Sequence, residues 1–227
     1  MTMKASGTAG EPELIDEWDG GFGWIAHPEE GMQRASHALV SAGRVWLVDP
    51  VDFEGLDDHI AEYGPVGGVV LLLDRHKRDA AAIARRHDVS VYLPRWMAGI
   101  SDDLDAPTTL FEGALADTEY TLLKVYDNPF WNEGALYDAD SGTLVVPEAF
   151  GTVSYYCTSN ERLGVHPAMR LTPPRRPFRG LSPERILVGH GPGISTDATG
   201  ALRDALAGSI KRTPKLYMQT LKSFLPF

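Results

Sequence analysis

The chain has 227 residues, 43% hydrophobic and 23% charged, a globular balance that excludes a disordered or collagen-like chain and allows one large domain or two small ones. Its apolar runs, such as that from Val69 to Leu73, are far shorter than the roughly 20 residues of a membrane-spanning helix. With 31 acids against 21 bases and a net charge of −10, its charge balance disfavours the phosphate-neutralising surface on which nucleic-acid binding rests.

The N-terminal MTMKASGTAGEPELIDEW has no apolar core of the secretory kind, so a cytoplasmic protein with neither membrane nor nucleic acid as partner is expected. Residues 1 to about 12 read as a disordered tail. Short β-type runs follow: Gly23 to Ala26, Ala38 to Ser41, an Ala42-Gly43 turn, and Val45 to Val48 ending in Asp49-Pro50. Gly55 to Tyr63 is helix-like and stops at Gly64-Pro65, and GGVVLLL suits a strand covered on both faces. Arg78 to His87 is an alanine-rich helix and Val89 to Leu93 a short strand ended by Pro94, giving β-α-β-α-β and adjacent parallel strands.

The second half opens with strands at Tyr120 to Tyr126, Gly134 to Tyr137 and Thr143 to Val146, the last two joined through Asp140-Ser141-Gly142. The single cysteine, Cys157, cannot close an internal disulfide and reads as a small hydrophobe. From Glu161 to Arg185, six arginines face two acids, a local +4 in an acidic chain. Arg170, Arg175, Arg176 and Arg179 form a candidate patch for an anionic small molecule; alternatively, this proline-rich segment pairs with the acidic bulk. Arg185 to Val188 is a strand, Gly189 to Gly193 a tight loop, and Asp197 to Lys211 a helix with Asp197 near its N-cap. In the C-terminal KLYMQTLKSFLPF, Leu216, Leu221, Phe224 and Leu225 lie near helical spacing, to dock on the body or, alternatively, on a second copy of the chain.

No GxSxG elbow, phosphate-binding GxxxxGK[ST] loop or HExxH helix occurs, and neither glycine cluster has dinucleotide-binding spacing. What remains is LLDRHKRD, residues 72 to 79, where a buried strand ends and a helix begins, the place where α/β sites collect. His76 and Asp79, three residues apart, can reach a shared point for metal binding or proton transfer. An ordinary strand-to-helix loop also carries such a pair, with Asp79 merely favouring the helix dipole. His27, His37, His59, His87 and His166 are assigned no role.

The order of these features resembles the metallo-β-lactamase fold. HALVSAGRVWLVDP resembles that family's strand pair ending in a structural aspartate, here Asp49, and VVLLLDRHKRDAAAIARRHDVSVYLP its strand, metal motif, helix and next strand. GTLVVPEAFG resembles the strand carrying the metal-bridging aspartate, and ILVGHGPGI the late strand and loop that present the final histidine. The resemblance covers residues 36 to 210 and implies a four-layer αββα sandwich of the α/β class, taken as one domain over residues 13–227.

It also implies a decayed site. The HxHxDH pattern falls on Asp74, Arg75, His76, Lys77, Arg78 and Asp79, so only His76 is kept. Val125 to Pro129 stands where a further histidine belongs, Glu148 replaces the bridging aspartate, and His190 matches the last histidine. A guanidinium at Arg78 excludes a second zinc. The expectation is a salt-bridged pseudo-site of Asp74, His76, Arg78, Asp79, Glu148 and His190, with Arg78 paired to Glu148, Asp79 or Asp74. No cofactor and no hydrolysis are then expected. The alternatives are a one-metal hydrolase of an ester, thioester or phosphoester, with zinc, manganese or iron on His76, Asp79, Glu148 and His190, and a binding module using the arginine segment.

Overall fold

The structure is a computed structural model that describes residues 3–4 and 11–224, without the side chains of 223 and 224. The tail expected over residues 1 to 12 therefore lies mostly outside the described residues.

The first half forms one sheet of seven strands in chain order: β1 (Glu13–Trp18), β2 (Gly21–Ile25), β3 (Ala35–Ser41), β4 (Arg44–Val48), β5 (Val66–Val70), β6 (Val91–Pro94) and β7 (Thr108–Phe111). The pairings from β1 to β4 are antiparallel, and those from β4 to β7 parallel. Helices α1 (Leu56–Ala61) and α2 (Ala80–Arg86) make the first two parallel crossovers, and a 3₁₀ segment, Arg95–Asp103, lies in the third. Sequence patterning missed β1 and β7, whose residues are mostly half-exposed or exposed and carry no strong alternation.

The second half adds β8 (Thr121–Asn128), β9 (Trp131–Asp138), β10 (Thr143–Val146), the short pair β11 (Phe150–Gly151) and β12 (Gly164–Val165), then β13 (Arg185–Val188) and α3 (Ala198–Phe224). β13, β10, β9 and β8 form a sheet in that order, with β13 and β10 parallel. The last helix runs beyond the expected Lys211 and through Pro214.

Side-chain alternation sorts the core into layers. Val45, Leu47, Val69 and Leu71 face α1 and α2, while their neighbours Trp46, Val48, Val70 and Leu72 meet Leu136, Val145 and Leu187 between the sheets. Beyond the second sheet, Leu144, Val146, Ile186 and Val188 pack with Ala201, Leu202 and Ala205 of α3. Helices, two sheets and a helix thus stack in the expected αββα order. Leu216 is fully buried, whereas Leu221 is 62% exposed, and the side chains of Phe224 and Leu225 lie outside the described residues.

Leu187 fills the space between the sheets, so Leu187→Ala is expected to lower unfolding stability by about 2–5 kcal/mol in urea titration. Leu221→Ala, on the exposed side of α3, is expected to stay within about 0.5 kcal/mol of the parent.

Candidate functional site

Parallel strands point their C-terminal ends the same way, and both sheets place such ends along one edge. Val48 of β4 is in register with Val70 of β5, and Val146 of β10 with Val188 of β13. Asp49 follows β4 directly, Glu148 and His190 each lie two residues past their strands, and His76 lies in the loop between β5 and α2. The two sheets are joined at this edge, where the Ala35 amide donates to the Gly189 carbonyl at 2.9 Å. Gly189 permits a close approach, since a Cβ there would stand 2.1 Å from the Pro147 carbonyl oxygen. That contact holds the Glu148 and His190 segments together.

Glu148 is the centre of the cluster. Its Oε2 lies 3.0 Å from His76 Nε2 and 2.9 Å from His190 Nε2, and its Oε1 accepts from the Tyr156 hydroxyl at 3.1 Å. Each histidine is fixed through its other nitrogen: His76 Nδ1 is 3.0 Å from Asp49 Oδ2, and His190 Nδ1 is 2.9 Å from the Met32 carbonyl oxygen. Asp49 is fixed in turn, its Oδ1 accepting the Leu72 amide at 2.9 Å. All three central residues are buried, at 7% exposure for His76, 6% for Glu148 and 2% for His190.

Burial opposes charge on both His76 and Glu148, and Arg78 further opposes it on His76. The hydrogen bonds to Asp49 and Glu148 outweigh this and hold His76 above the ordinary imidazole range. The donors His190 and His76 likewise hold Glu148 well below the usual carboxylate range. Ligand atoms of His76, Glu148 and His190 all lie within 4.8 Å of one another, so this trio can converge on a single ion.

The structure corrects the rest of the expected constellation. Arg78 turns inward but makes no ion pair with Glu148, Asp79 or Asp74. Its Nη1 donates to the carbonyl oxygens of Ala35 at 2.7 Å and Asp49 at 2.6 Å, the latter also accepting from the Ser36 hydroxyl at 3.0 Å. Its Nε and Nη2 are shielded from solvent and bond to no described group. Asp79 is drawn away, its Oδ2 accepting the Asp52 amide at 2.8 Å, and Asp74 faces Asn132 and Arg75. Neither belongs to the trio.

Two residues given no role in the sequence reading stand beside it. His166 Nε2 is 3.5 Å from Glu148 Oε1, and its Nδ1 accepts the Ala168 amide, which places its proton on Nε2; burial pulls its pKa down to about 4. His37 Nε2 lies 2.9 Å from the Val188 carbonyl oxygen, and burial lowers its basicity. Beneath the site, Glu133 Oε1 accepts the amides of Glu148 and Ala149, and its Oε2 accepts from Trp131 Nε1 at 2.8 Å. The segments of His76, Glu148 and His190 were marked by the resemblance in order and spacing, whereas His166 and Glu133 arrive from segments without such a signal.

The arginine patch is also corrected. Arg170 is fully buried, donating to Glu161 Oε2 and the Tyr156 carbonyl oxygen at 2.7 Å each, so it offers nothing to a solvent anion. Arg175, Arg176 and Arg179 are exposed. Cys157 is buried near Glu161, and burial with that charge pushes its thiol up to about 12, the behaviour of an inert side chain.

No protein-family model matches the chain, and no curated protein matches it in sequence. Solved structures do. TMB-1, described in terms of substrate and inhibitor binding, is 12% identical with a TM-score of 0.63, over 89% of this chain and 98% of that one. The metallo-beta-lactamase FIM-1 from Pseudomonas aeruginosa in its mono-zinc form is 10% identical with a TM-score of 0.59, over 93% and 98%. A metallo-beta-lactamase from Pontibacter korlensis is 9% identical with a TM-score of 0.58, over 87% and 99%. This likeness shows that the chain has the metallo-β-lactamase fold.

Two outcomes follow from the cluster. Arg78→Met removes the donor to two carbonyls and is expected to cost about 1–3 kcal/mol in urea titration; an unchanged midpoint would refute the assigned bonds. For metal-stripped protein, a depressed Glu148 contributes stability above about pH 4.3 that is lost as pH falls, and a raised His76 contributes stability below about pH 6.5 that is lost as pH rises. The destabilisation caused by His76→Gln is therefore expected to peak between about pH 4.3 and 6.5 and to shrink on the alkaline side, as read from melting midpoints.

Proposed function

We propose that this protein has lost the two-ion hydrolytic centre associated with its fold and binds one divalent ion through His76 Nε2, His190 Nε2 and Glu148, without hydrolytic turnover. The observation that carries this reading is the shared aim of the two imidazoles. Both turn Nε2 onto one carboxylate oxygen, and both turn Nδ1 onto a fixed oxygen acceptor. A histidine that ligates through Nε2 needs its other N–H held by such an acceptor, which fixes tautomer and ring orientation. The two-histidine, one-carboxylate set suits zinc, manganese or iron.

The donor set does not suit a second ion. The aspartate that would anchor it is replaced by Arg78, whose permanent positive charge lies next to Asp49 and opposes a neighbouring dication. Asp74 and Asp79 are engaged elsewhere.

A bound divalent ion would polarise an acyl or phosphoryl oxygen and acidify water. The chain's own residues support that chemistry poorly. Glu148 has donors on both oxygens and little basicity left, Asp79 is turned away, and His166 already carries its proton on the nitrogen facing Glu148. Asp49 and the Met32 carbonyl orient, Tyr156 and His166 shield, and no described carboxylate beside the trio is free to accept a substrate proton.

A mononuclear hydrolase is the second reading. It is favoured by the number of donors, because an ion held by these three protein ligands would have room for a water or substrate, as catalytic rather than structural zinc sites do. The FIM-1 relative, solved in a mono-zinc form, gives a precedent for one ion on this fold.

Elemental analysis of protein purified without chelator, followed by titration with zinc, manganese and iron, separates these readings. About one equivalent is expected, falling below a tenth in the His76→Ala, His190→Ala double variant, with no metal-dependent hydrolysis of generic esters, thioesters or phosphodiesters. Less than a tenth of an equivalent in the parent would defeat single-ion binding, and metal-dependent turnover abolished by His190→Ala would establish the hydrolase.

A further inference from the structure

The remaining arginines cluster around a different place. Among the described residues, nine of the chain's 15 arginines form an ion pair. Of the six that do not, Arg78 serves carbonyl groups, and Arg185 stacks on Trp18 and reaches Thr143. The other four, Arg175, Arg176, Arg179 and Arg203, all line one cavity of about 580 Å³ between the 175–181 segment and α3. Its wall also contains Phe178, Leu181, Leu202 and Leu206, and no acidic residue lines it. Asp204, next to Arg203 along α3, does not neutralise the group, because Arg212 holds its carboxylate at 2.6 Å.

Exposed arginines in a chain of net charge −10 have many acids to pair with, so four without an ion pair to a described acid around one hollow mark a local inversion of the field. Arg175 is also held in place, its Nη2 donating to the Leu206 carbonyl oxygen at 2.9 Å. The volume falls in the range of small-molecule sites, about 300–1,000 Å³, and such sites combine apolar walls with a few convergent polar groups. Guanidinium forks match phosphate oxygens in pairs, and several of them favour a head group carrying more than one negative charge over a monocarboxylate.

We propose that this cavity binds a soluble organic phosphate, with its charged head among Arg175, Arg176, Arg179 and Arg203 and its apolar body against Phe178, Leu202 and Leu206. The site is separate from the His76–Glu148–His190 trio and independent of any ion there. A phosphorylated lipid headgroup would present the same chemistry from a membrane; the soluble ligand is favoured because the apolar surface is recessed, with Phe178 and Leu202 buried in the cavity wall.

Isothermal titration with octylphosphonate below its micellar concentration tests this, with inorganic phosphate, octanol and phosphatidylglycerol vesicles as parallel arms. Octylphosphonate is expected to bind at one equivalent, at least tenfold tighter than inorganic phosphate or octanol, and unchanged by chelator. The Arg179→Glu, Arg203→Glu double variant, with circular dichroism matching the parent, is expected to weaken binding at least tenfold; the Arg85→Glu, Arg95→Glu double variant, at positions that do not line the cavity, carries the same change in net charge and is the control. Equal loss in that control, equal affinity for inorganic phosphate, or binding to vesicles alone would each overturn the proposal.

Discussion

A carboxylate can be buried only if donors come to it, and in this molecule they come from both sheets. Glu148 follows β10 of the second sheet; His190 follows β13 beside it, and His76 arrives from the loop after β5 of the first. Removing an ionised carboxylate from water costs several kcal/mol, so one lacking these partners would be unfavourable at this depth. The sequence of contacts from Asp49 through His76, Glu148 and His190 to the Met32 carbonyl therefore clamps the sandwich along one edge. It also orients the imidazoles on which the proposed ion depends.

The same edge explains Arg78. Asp49 and Arg78 both have positive φ, 46° and 40°, so the turns after β4 and β5 hold unusual conformations that surrounding bonds must maintain. Asp49 is tied at both carboxylate oxygens, its carbonyl accepts from both Arg78 and the Ser36 hydroxyl, and Arg78 also serves the carbonyl of Ala35. A residue that supplies positive charge and donors to this corner performs part of what a metal ion does for polar groups. It does so on the backbone and not on the carboxylates, and it acts on the trio around Glu148 only through its charge, which opposes protonation of His76.

The arginine-lined cavity has its wall in α3 and the irregular segment before β13, outside the second sheet, so the clamped edge and the cavity are built from different layers. Electrostatics treats the two differently. At the edge, the buried Glu148 carboxylate is matched by donors at short distance; around the cavity, exposed guanidiniums share one sign and have no acidic partner among the described residues. The first arrangement orders the fold, and the second awaits an anion.

The sequence by itself determined most of the elements. The apolar runs in segments such as VWLV and VVLLL, the Pro and Gly stops, and the order of strand and helix signals gave sheets with helices in each half, because these patterns express burial; the four-layer αββα stacking came only through the resemblance. The sequence also singled out His76, Glu148 and His190, through resemblance in order and spacing. It could not decide the ends of side chains. Whether Arg78 would meet a carboxylate or a carbonyl, whether Asp79 would turn to the trio or to the Asp52 amide, and whether Arg170 would be exposed or sealed against Glu161 were settled by contacts between residues 9 to 43 positions apart. His166 was invisible for the same reason, lying 18 residues from Glu148 with no motif around it. Local pattern records which side of a strand faces the core, while the direction of a long polar side chain depends on which unsatisfied group the folded chain brings within hydrogen-bonding reach.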